Sequence, residues 1–170
     1  MMALPFYVVA AQEAGIDLER VAVLLGAQTA GTLAGNPLWG WWSDRRGKRS
    51  LLQGVAALRT LPPLGVLAMG ALSLQMPTGQ LTLFIATFFV LGALSSGVTI
   101  GVLGFLMEIS PDDRRPAYSG YFNALTAPAY LLPLVGGVLV ARFGAEAALA
   151  ISLVGAIAQC WLISVMPTAD

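Results

Sequence analysis

The stretch GNPLWGWWSDRRGKRSLL, residues 35–52, places one acid and four cations within the six positions from Asp44 to Arg49. Long apolar runs lie on both sides of this charged cluster. Gly47 is typical of a tight turn, because glycine adopts positive φ without a steric penalty. The cations suit the anionic surface of a membrane. The stretch therefore predicts that one membrane-spanning helix ends before the cluster and another begins directly after it.

The overall composition indicates the same class of protein. Charged residues make up 11% of the 170 residues and hydrophobic residues 57%, whereas soluble domains carry about 25% charged residues. A soluble chain of this composition could not cover its surface with ionic groups, so we expect a lipid bilayer as its surroundings. The net charge is zero, and we expect no nucleic-acid partner.

Apolar residues fall into six segments separated by short polar turns. The segments are residues 1–12, 21–42, 50–74, 80–109, 117–140 and 147–166. A helix needs about 20 apolar residues to cross a bilayer core, so five segments are long enough and the first is not. Backbone groups in lipid must be satisfied within their own segment, which favours helices over strands. We therefore expect residues 1–170 to be a single all-α, polytopic domain of six transmembrane helices, a fragment whose first helix is truncated.

The cations of the turns are distributed unequally between the two sides of the membrane. The turns after the second and fourth segments carry six of them, namely Arg45, Arg46, Lys48, Arg49, Arg114 and Arg115. The opposite turns carry Arg20 and Arg142. Cytoplasmic loops carry an excess of Lys and Arg. This predicts a multi-pass protein of the inner or plasma membrane with both termini in the cytoplasm.

The sequence argues against an enzyme. It contains no histidine, which excludes Ser–His hydrolysis and His-ligated metals. Cys160 is the only cysteine and cannot form a disulfide within the chain. A phosphate-binding G-x-x-x-x-G-K-S/T loop and paired intramembrane aspartates are also absent from the sequence. We expect no metal and no cofactor.

Small residues recur at a spacing of four on two of the predicted helices. One stripe consists of Ala27, Gly31 and Gly35, and the other of Ala93, Gly97 and Gly101. Such stripes let helix backbones approach closely in a membrane, so we interpret them as packing faces. The second interpretation is that these faces slide or rock against their neighbours.

Three tryptophans, Trp39, Trp41 and Trp42, lie at the end of the second segment, next to the charged cluster. Indoles are enriched where a membrane meets water. We interpret the three as an aromatic belt in the headgroup region rather than as a ligand site.

Arg59 is the only charged residue well inside an apolar segment. It lies about nine residues from the start of that segment, or roughly 13 Å along a helix. Ionisable groups at such depth are usually functional or face a wet cavity, and an anionic solute or a partner carboxylate would be the natural ligand. The alternative is that Arg59 snorkels, or that Pro62 and Pro63 break the helix and admit water.

Uncharged polar residues could line a cavity as well. The candidates are Gln28, Asn36 and Asn123, with Gln53, Tyr130 and Gln159 as further polar groups at depth. Hydrogen bonding between helices is the alternative use of such groups.

The charged cluster also matches a known motif. Gly40, Asp44, Arg45, Gly47, Lys48 and Arg49 resemble, at every defined position, the G-x-x-x-D-R-x-G-R/K-R/K signature of the major facilitator superfamily. That signature lies between the second and third helices of a six-helix half. The stretch EISPDDRRPAYSGYFNAL, residues 108–125, resembles the fourth-to-fifth loop of the same superfamily, in which an acid at the position of Glu108 pairs with the arginine of the signature.

A third element agrees only in part. Pro133, Gly136 and Gly137 are similar to the G-P-x-x-G-G element found in the fifth helix of many antiporters. Leu132 replaces the glycine that precedes the proline, which weakens an assignment as an antiporter.

The resemblance implies one six-helix half of a twelve-helix transporter, whose missing half is a partner on the same or another chain. The stop soon after the sixth segment favours the C-terminal half. The implied function is transport of a small organic solute by alternating access, with or without a coupling ion. The resemblance also implies a cavity lined largely by the first and fourth helices, which makes Ser95, Ser96 and Thr99 of the fourth helix candidate cavity residues. In such proteins the aspartate of the signature meets a helix N-terminus of the opposite half, and the basic residues join a network that closes the cytoplasmic side. The alternative is a non-transporting membrane subunit or scaffold that pairs with another half-transporter chain; substrate, direction of transport and coupling ion stay open.

Overall fold

The computed structural model of the chain describes residues 4–13, 15–71 and 77–165, and over these residues it contains helices and no β-strand. The elements are α1 (Leu4–Glu13), α2 (Leu18–Leu58), α3 (Leu61–Ala71), α4 (Pro77–Ile109), α5 (Arg115–Thr126), a 3₁₀ turn (Ala127–Leu131) and α6 (Leu132–Val165). This confirms the all-α class. The ends of the first and last predicted segments, and the turn before α4, lie outside the described residues.

Four helical stretches of the described chain are long and apolar enough to cross a membrane. They are Glu19–Ala68, Gly79–Ile109, Arg115–Gly144 and Glu146–Val165. Length and hydropathy therefore confirm a polytopic membrane protein, whereas the count of six spans stays a prediction.

The first of these stretches reverses direction at Gly47. This residue has φ 79° and ψ 160° inside α2, a conformation that only glycine adopts without strain. The indole of Trp42 donates to the hydroxyl of Ser50 at 3.3 Å, and a Cβ placed at Gly54 would lie 3.4 Å from the Trp42 ring. Residues twelve apart in a straight helix are about 18 Å apart. The α2 helix therefore consists of two antiparallel arms, residues 18–46 and 48–58, with the reversal inside the predicted turn.

A second positive-φ glycine divides α6. Gly144 has φ 83° and ψ 170°, so α6 also consists of two arms, residues 132–143 and 145–165. This break lies in the polar turn that the sequence places between the fifth and sixth segments.

The predicted third helix is interrupted at Arg59 and Thr60. Proline has no N–H and its ring clashes with the carbonyl four residues earlier. Pro62 and Pro63 therefore leave the carbonyls of Leu58 and Arg59 without their helical partners, and α2 ends at Leu58 while α3 begins at Leu61. The break leaves Arg59 at a helix end within the apolar region.

The first arm of α2 packs directly against α4, and the two small-residue stripes lie in the contacts of these helices. A Cβ at Gly31 would lie 1.9 Å from the carbonyl oxygen of Phe89, and one at Gly92 would lie 1.9 Å from that of Gln28. Each helix thus presents a glycine to a main-chain carbonyl of the other, a geometry that permits Cα–H···O contacts. The hydroxyl of Thr32 also donates to the Gly92 carbonyl at 3.2 Å.

The remaining glycines of the same stripes pack against side chains as well as backbone. A Cβ at Gly35 would lie 2.9 Å from Cα of Ala93. Gly97 faces Val55 and Trp39, and a Cβ at Gly101 would lie 2.7 Å from Cδ2 of Leu52. Gly31, Gly35, Gly97 and Gly101 are therefore all packing positions in this structure.

A second set of contacts joins α1 and the last helix to this pair. Tyr7, Leu24, Phe84, Phe88 and Leu149 are fully buried and form one cluster with side chains from α1, α2, α4 and α6. The cluster holds the short α1 against the bundle.

Most of the large apolar side chains of residues 115–143 are exposed. Leu125 is 82% exposed, and Tyr130, Leu134 and Phe143 are exposed to a similar extent. An apolar surface of this extent suits lipid or a second helical bundle rather than water.

Candidate functional site

The residues of the charged motif meet at one end of the bundle, which we call the basic end (residues 44–49 and 108–115). Gly47 supplies the reversal, so the first arm of α2 ends and its second arm begins at this end. Ile109 ends α4 here and Arg115 begins α5. The two stretches that carry the motif resemblance are therefore neighbours in space.

One ion pair joins the two halves of the basic end. Nζ of Lys48 lies 3.2 Å from Oε1 of Glu108, and the Lys48 stem passes over Gly104 of α4, where a Cβ would lie 2.9 Å from it. The side chains of this pair are 33% and 56% exposed, so solvent screens it and it contributes little to stability. The resemblance implies that Glu108 pairs with the arginine of the signature, whereas the structure shows it paired with the lysine of the signature, Lys48.

Four further cations of the basic end have local partners. Arg45 lies 4.9 Å from the Trp41 ring centre and Arg46 lies 5.3 Å from that of Trp42, distances at which a cation is attracted to an aromatic face. Arg114 pairs with its neighbour Asp113 at 3.5 Å, and Arg115 with Asp112 at 2.7 Å.

Asp44 is exposed, and its carboxylate has no hydrogen bond or ion pair with another residue of the described chain. It lies at the C-terminal end of a helical arm, where the macrodipole repels a negative charge. Its neighbours Arg45 and Arg46 are turned to the tryptophans. The carboxylate is therefore available to a group outside the described residues.

The aromatic-belt interpretation is wrong for Trp39. Its side chain is only 3% exposed, and its indole donates to the carbonyl of Ala93 at 2.6 Å. The close approach of α4 at glycine positions exposes that carbonyl to the indole, so Trp39 joins two helices instead of facing headgroups. Trp41, which is 51% exposed, keeps a position compatible with a belt.

A cavity of about 370 Å³ lies deeper in the bundle, between α1, the break at Arg59, α4 and the second arm of α6. Its polar lining residues are Tyr7, Arg59, Ser95, Ser152 and Gln159. Its apolar lining residues are Phe6, Leu91, Leu94, Val98, Ala148, Ile151, Gly155 and Ala156. Concave, mostly apolar sites with a few polar groups are typical of small-molecule sites.

Arg59 and Gln159 form the polar contact in this cavity. Nη1 of Arg59 donates to Oε1 of Gln159 at 3.1 Å. Arg59 is half-buried, and no carboxylate of the described chain pairs with it. A guanidinium has five N–H donors, so a neutral amide at one nitrogen leaves most of its donors and all of its charge uncompensated.

The structure brings only some of the other sequence candidates near this cavity. Ser96 is buried beside Gly35 and its hydroxyl donates to the Ala93 carbonyl at 2.8 Å, whereas the neighbouring Ser95 lines the cavity. Thr99 is exposed and donates to the carbonyl of Ser95. These three hydroxyl residues of α4 thus differ in their surroundings: Ser96 lies in the packing, Ser95 in the cavity and Thr99 on an exposed face.

The candidates on other helices lie elsewhere. Gln28 lines a shallow groove on α2 together with Leu25, Thr29, Thr32 and Leu33. Asn36 and Asn123 are exposed. The element that resembles G-P-x-x-G-G lies in the first arm of α6. Its Gly136 is buried while Pro133 and Gly137 are exposed, and a Cβ at Gly137 would meet nothing within 4 Å.

Sequence reasoning did not single out Tyr7 and Ser152. The signal for Ser152 is its spacing of seven from Gln159, which places both on one helix face together with Gly155 and Ala156. Tyr7 gives no comparable signal, because it lies in a short apolar run whose neighbours in space are known only from the fold.

Comparison with protein families gives one match, which covers almost the whole chain. The sequence model of the Major Facilitator Superfamily matches residues 1–169. Comparison with curated proteins and with solved structures gave no match. The family match agrees with the motif at the basic end, with the helical fold and with the apolar spans. The chain belongs to the Major Facilitator Superfamily, whose members are transporters that carry small solutes across a lipid bilayer rather than enzymes.

Proposed function

We propose that the chain is half of a secondary transporter that moves a small organic solute by alternating access, together with a second six-helix half. The observation that carries this proposal is the cavity of about 370 Å³ that contains Arg59. A cavity that places a cation among apolar helices is costly in a membrane and is usually retained for function. A passive scaffold would not need it.

We further propose that the basic end faces the cytoplasm of a cell membrane and acts as a gate. The cation distribution supports this orientation. The carboxylate of Asp44, which lacks a partner in the described chain, would bind the N-terminal amides of a helix in the other half when the cytoplasmic side is closed. The exposed pair of Lys48 and Glu108 would join that contact, and opening would break it.

Transport by the full-length protein in sealed proteoliposomes tests the function, and Asp44→Asn tests the gate. The amide cannot carry the charge that favours a helix N-terminus, so solute uptake by Asp44→Asn should fall several-fold while the amount inserted is unchanged. Asp17→Asn, at the exposed turn after α1, is the matched control and should transport normally.

Two outcomes would contradict the proposal. Normal uptake by Asp44→Asn would contradict the gating role of Asp44 but not the transport function. A correctly inserted full-length protein that transports no member of a broad panel of solutes would instead favour a subunit or scaffold.

A further inference from the structure

We propose that the cavity at Arg59 binds the carboxylate of a small organic monoanion whose remaining surface is apolar. This inference rests on the proposed function and names the substrate class. The argument depends on the charge of Arg59, on its contact with Gln159 and on the apolar lining.

The charge of Arg59 has no counterpart within the membrane-spanning part of the sequence. All nine acidic residues belong to turns, helix ends or the terminus: Glu13, Asp17, Glu19, Asp44, Glu108, Asp112, Asp113, Glu146 and Asp170. An uncompensated cation in an apolar environment is costly. The contact that the structure shows for it is a neutral amide, so an anion that enters the cavity would remove most of that cost.

Gln159 orients the guanidinium instead of neutralising it. Its Oε1 holds Nη1 at 3.1 Å, which restricts rotation of the planar group. The other N–H donors can then bind two oxygens side by side, the geometry in which arginine recognises carboxylates. Tyr7, Ser95 and Ser152 add hydroxyl groups to the same cavity.

The lining limits the anion to one charge and an apolar body. Eight of the thirteen lining residues are apolar or glycine, and one arginine balances one negative charge. A phosphate or dicarboxylate would lose more hydration than a single guanidinium can replace. A monocarboxylate with a hydrocarbon or aromatic body satisfies both parts of the cavity.

Binding of benzoate to the purified full-length protein in detergent, measured by calorimetry, tests the inference. Benzamide has the same shape without the charge, and it should bind at least about tenfold more weakly because a charge-assisted hydrogen bond is lost. Inorganic phosphate should not compete with benzoate. Equal affinity for benzoate and benzamide, or competition by phosphate, would overturn the inference.

Two variants remove the anion site by different routes. Arg59→Gln should weaken benzoate binding by about ten- to one-hundred-fold. Gln159→Glu places a carboxylate beside the guanidinium in a chain that retains Arg59, and this internal anion should exclude benzoate to a similar degree. Gln12→Glu adds the same charge at an exposed position of α1 outside the cavity and should leave benzoate affinity unchanged.

The Gln159→Glu variant keeps the test decisive if Arg59→Gln fails to fold. Benzoate binding that survives Gln159→Glu would show that the anion binds elsewhere and would overturn the inference. If proteoliposomes then still transport an uncharged solute, the proposed transport function stands without this substrate class. Binding of benzoate with no transport of any solute would support the site and contradict the function.

Discussion

Substitution of Gly31 by alanine should destabilise the bundle, because Gly31 is where the first arm of α2 lies closest to α4. The added Cβ would lie 1.9 Å from the carbonyl oxygen of Phe89 and 2.8 Å from its carbonyl carbon. Both atoms belong to a helical backbone, so no side-chain rotation relieves the contact. An ordinary distance of 3.4 Å requires the two helices to separate by about 1.5 Å.

The magnitude follows from what that separation breaks. Overpacking alone costs about 1–3 kcal/mol. The hydrogen bonds from Thr32 to Gly92 and from Trp39 to Ala93 cross the same interface, and interhelical hydrogen bonds in membranes contribute about 0.6 kcal/mol each. The intrinsic helix preference for alanine over glycine offsets up to about 1 kcal/mol. A net loss of about 1–3 kcal/mol in the free energy of unfolding is expected.

Unfolding by SDS in mixed micelles, followed by tryptophan fluorescence, measures this difference. Gly26→Ala is the matched control, because Gly26 lies on the same helix and a Cβ there meets nothing within 4 Å. The control should be neutral or slightly more stable than the parent. If Gly31→Ala and Gly26→Ala unfolded at the same SDS fraction, the close approach of α2 and α4 would be refuted.

Three further predictions concern other parts of the molecule. Trp39→Phe should lower the free energy of unfolding by about 0.6 kcal/mol, since it removes the bond to the Ala93 carbonyl, while Trp41→Phe at the exposed neighbour should change it little in the same SDS titration. Gly47→Ala should cost about 1–3 kcal/mol because an L-residue is strained at φ 79° and ψ 160°, whereas Gly40→Ala, where a Cβ meets nothing, should not. Lys48 is the only lysine of the sequence, so a membrane-impermeant amine reagent should modify the peptide that contains it in inverted vesicles and not in intact cells; modification of that peptide from outside would contradict the proposed orientation.

The fold class and the reversal at Gly47 could be predicted because they depend on local and compositional properties. Hydropathy determines which stretches can exist in lipid, and glycine beside a charge cluster indicates a turn. The break at Arg59 is one of the alternatives that the sequence itself indicates, because Pro62 and Pro63 act on their own backbone. The ends of the helices were harder to predict. The helices continue to Gly47 in α2 and to Gly144 in α6, past the predicted segment ends at residues 42 and 140.

The cavity was harder to predict because its residues come from four separate helices. The sequence identifies Arg59 and Gln159 as polar groups at depth. It does not show that they meet, because they are 100 positions apart. Ser95 and Ser96 differ by one position and face different neighbours, which hydropathy cannot distinguish. Residue type alone places Trp39 at the membrane surface, whereas the carbonyl of Ala93 that accepts its hydrogen bond is accessible because of glycine packing on another helix.

The reciprocal glycine contacts between α2 and α4 also restrict how the protein can move. Each helix projects a carbonyl into a notch that the other leaves by lacking a side chain, so axial sliding of a few ångströms would drive main-chain atoms into one another. The two helices should therefore move as one rigid body in any conformational change. We then expect residues 115–143 to move relative to this pair, because their side chains pack least against neighbouring helices.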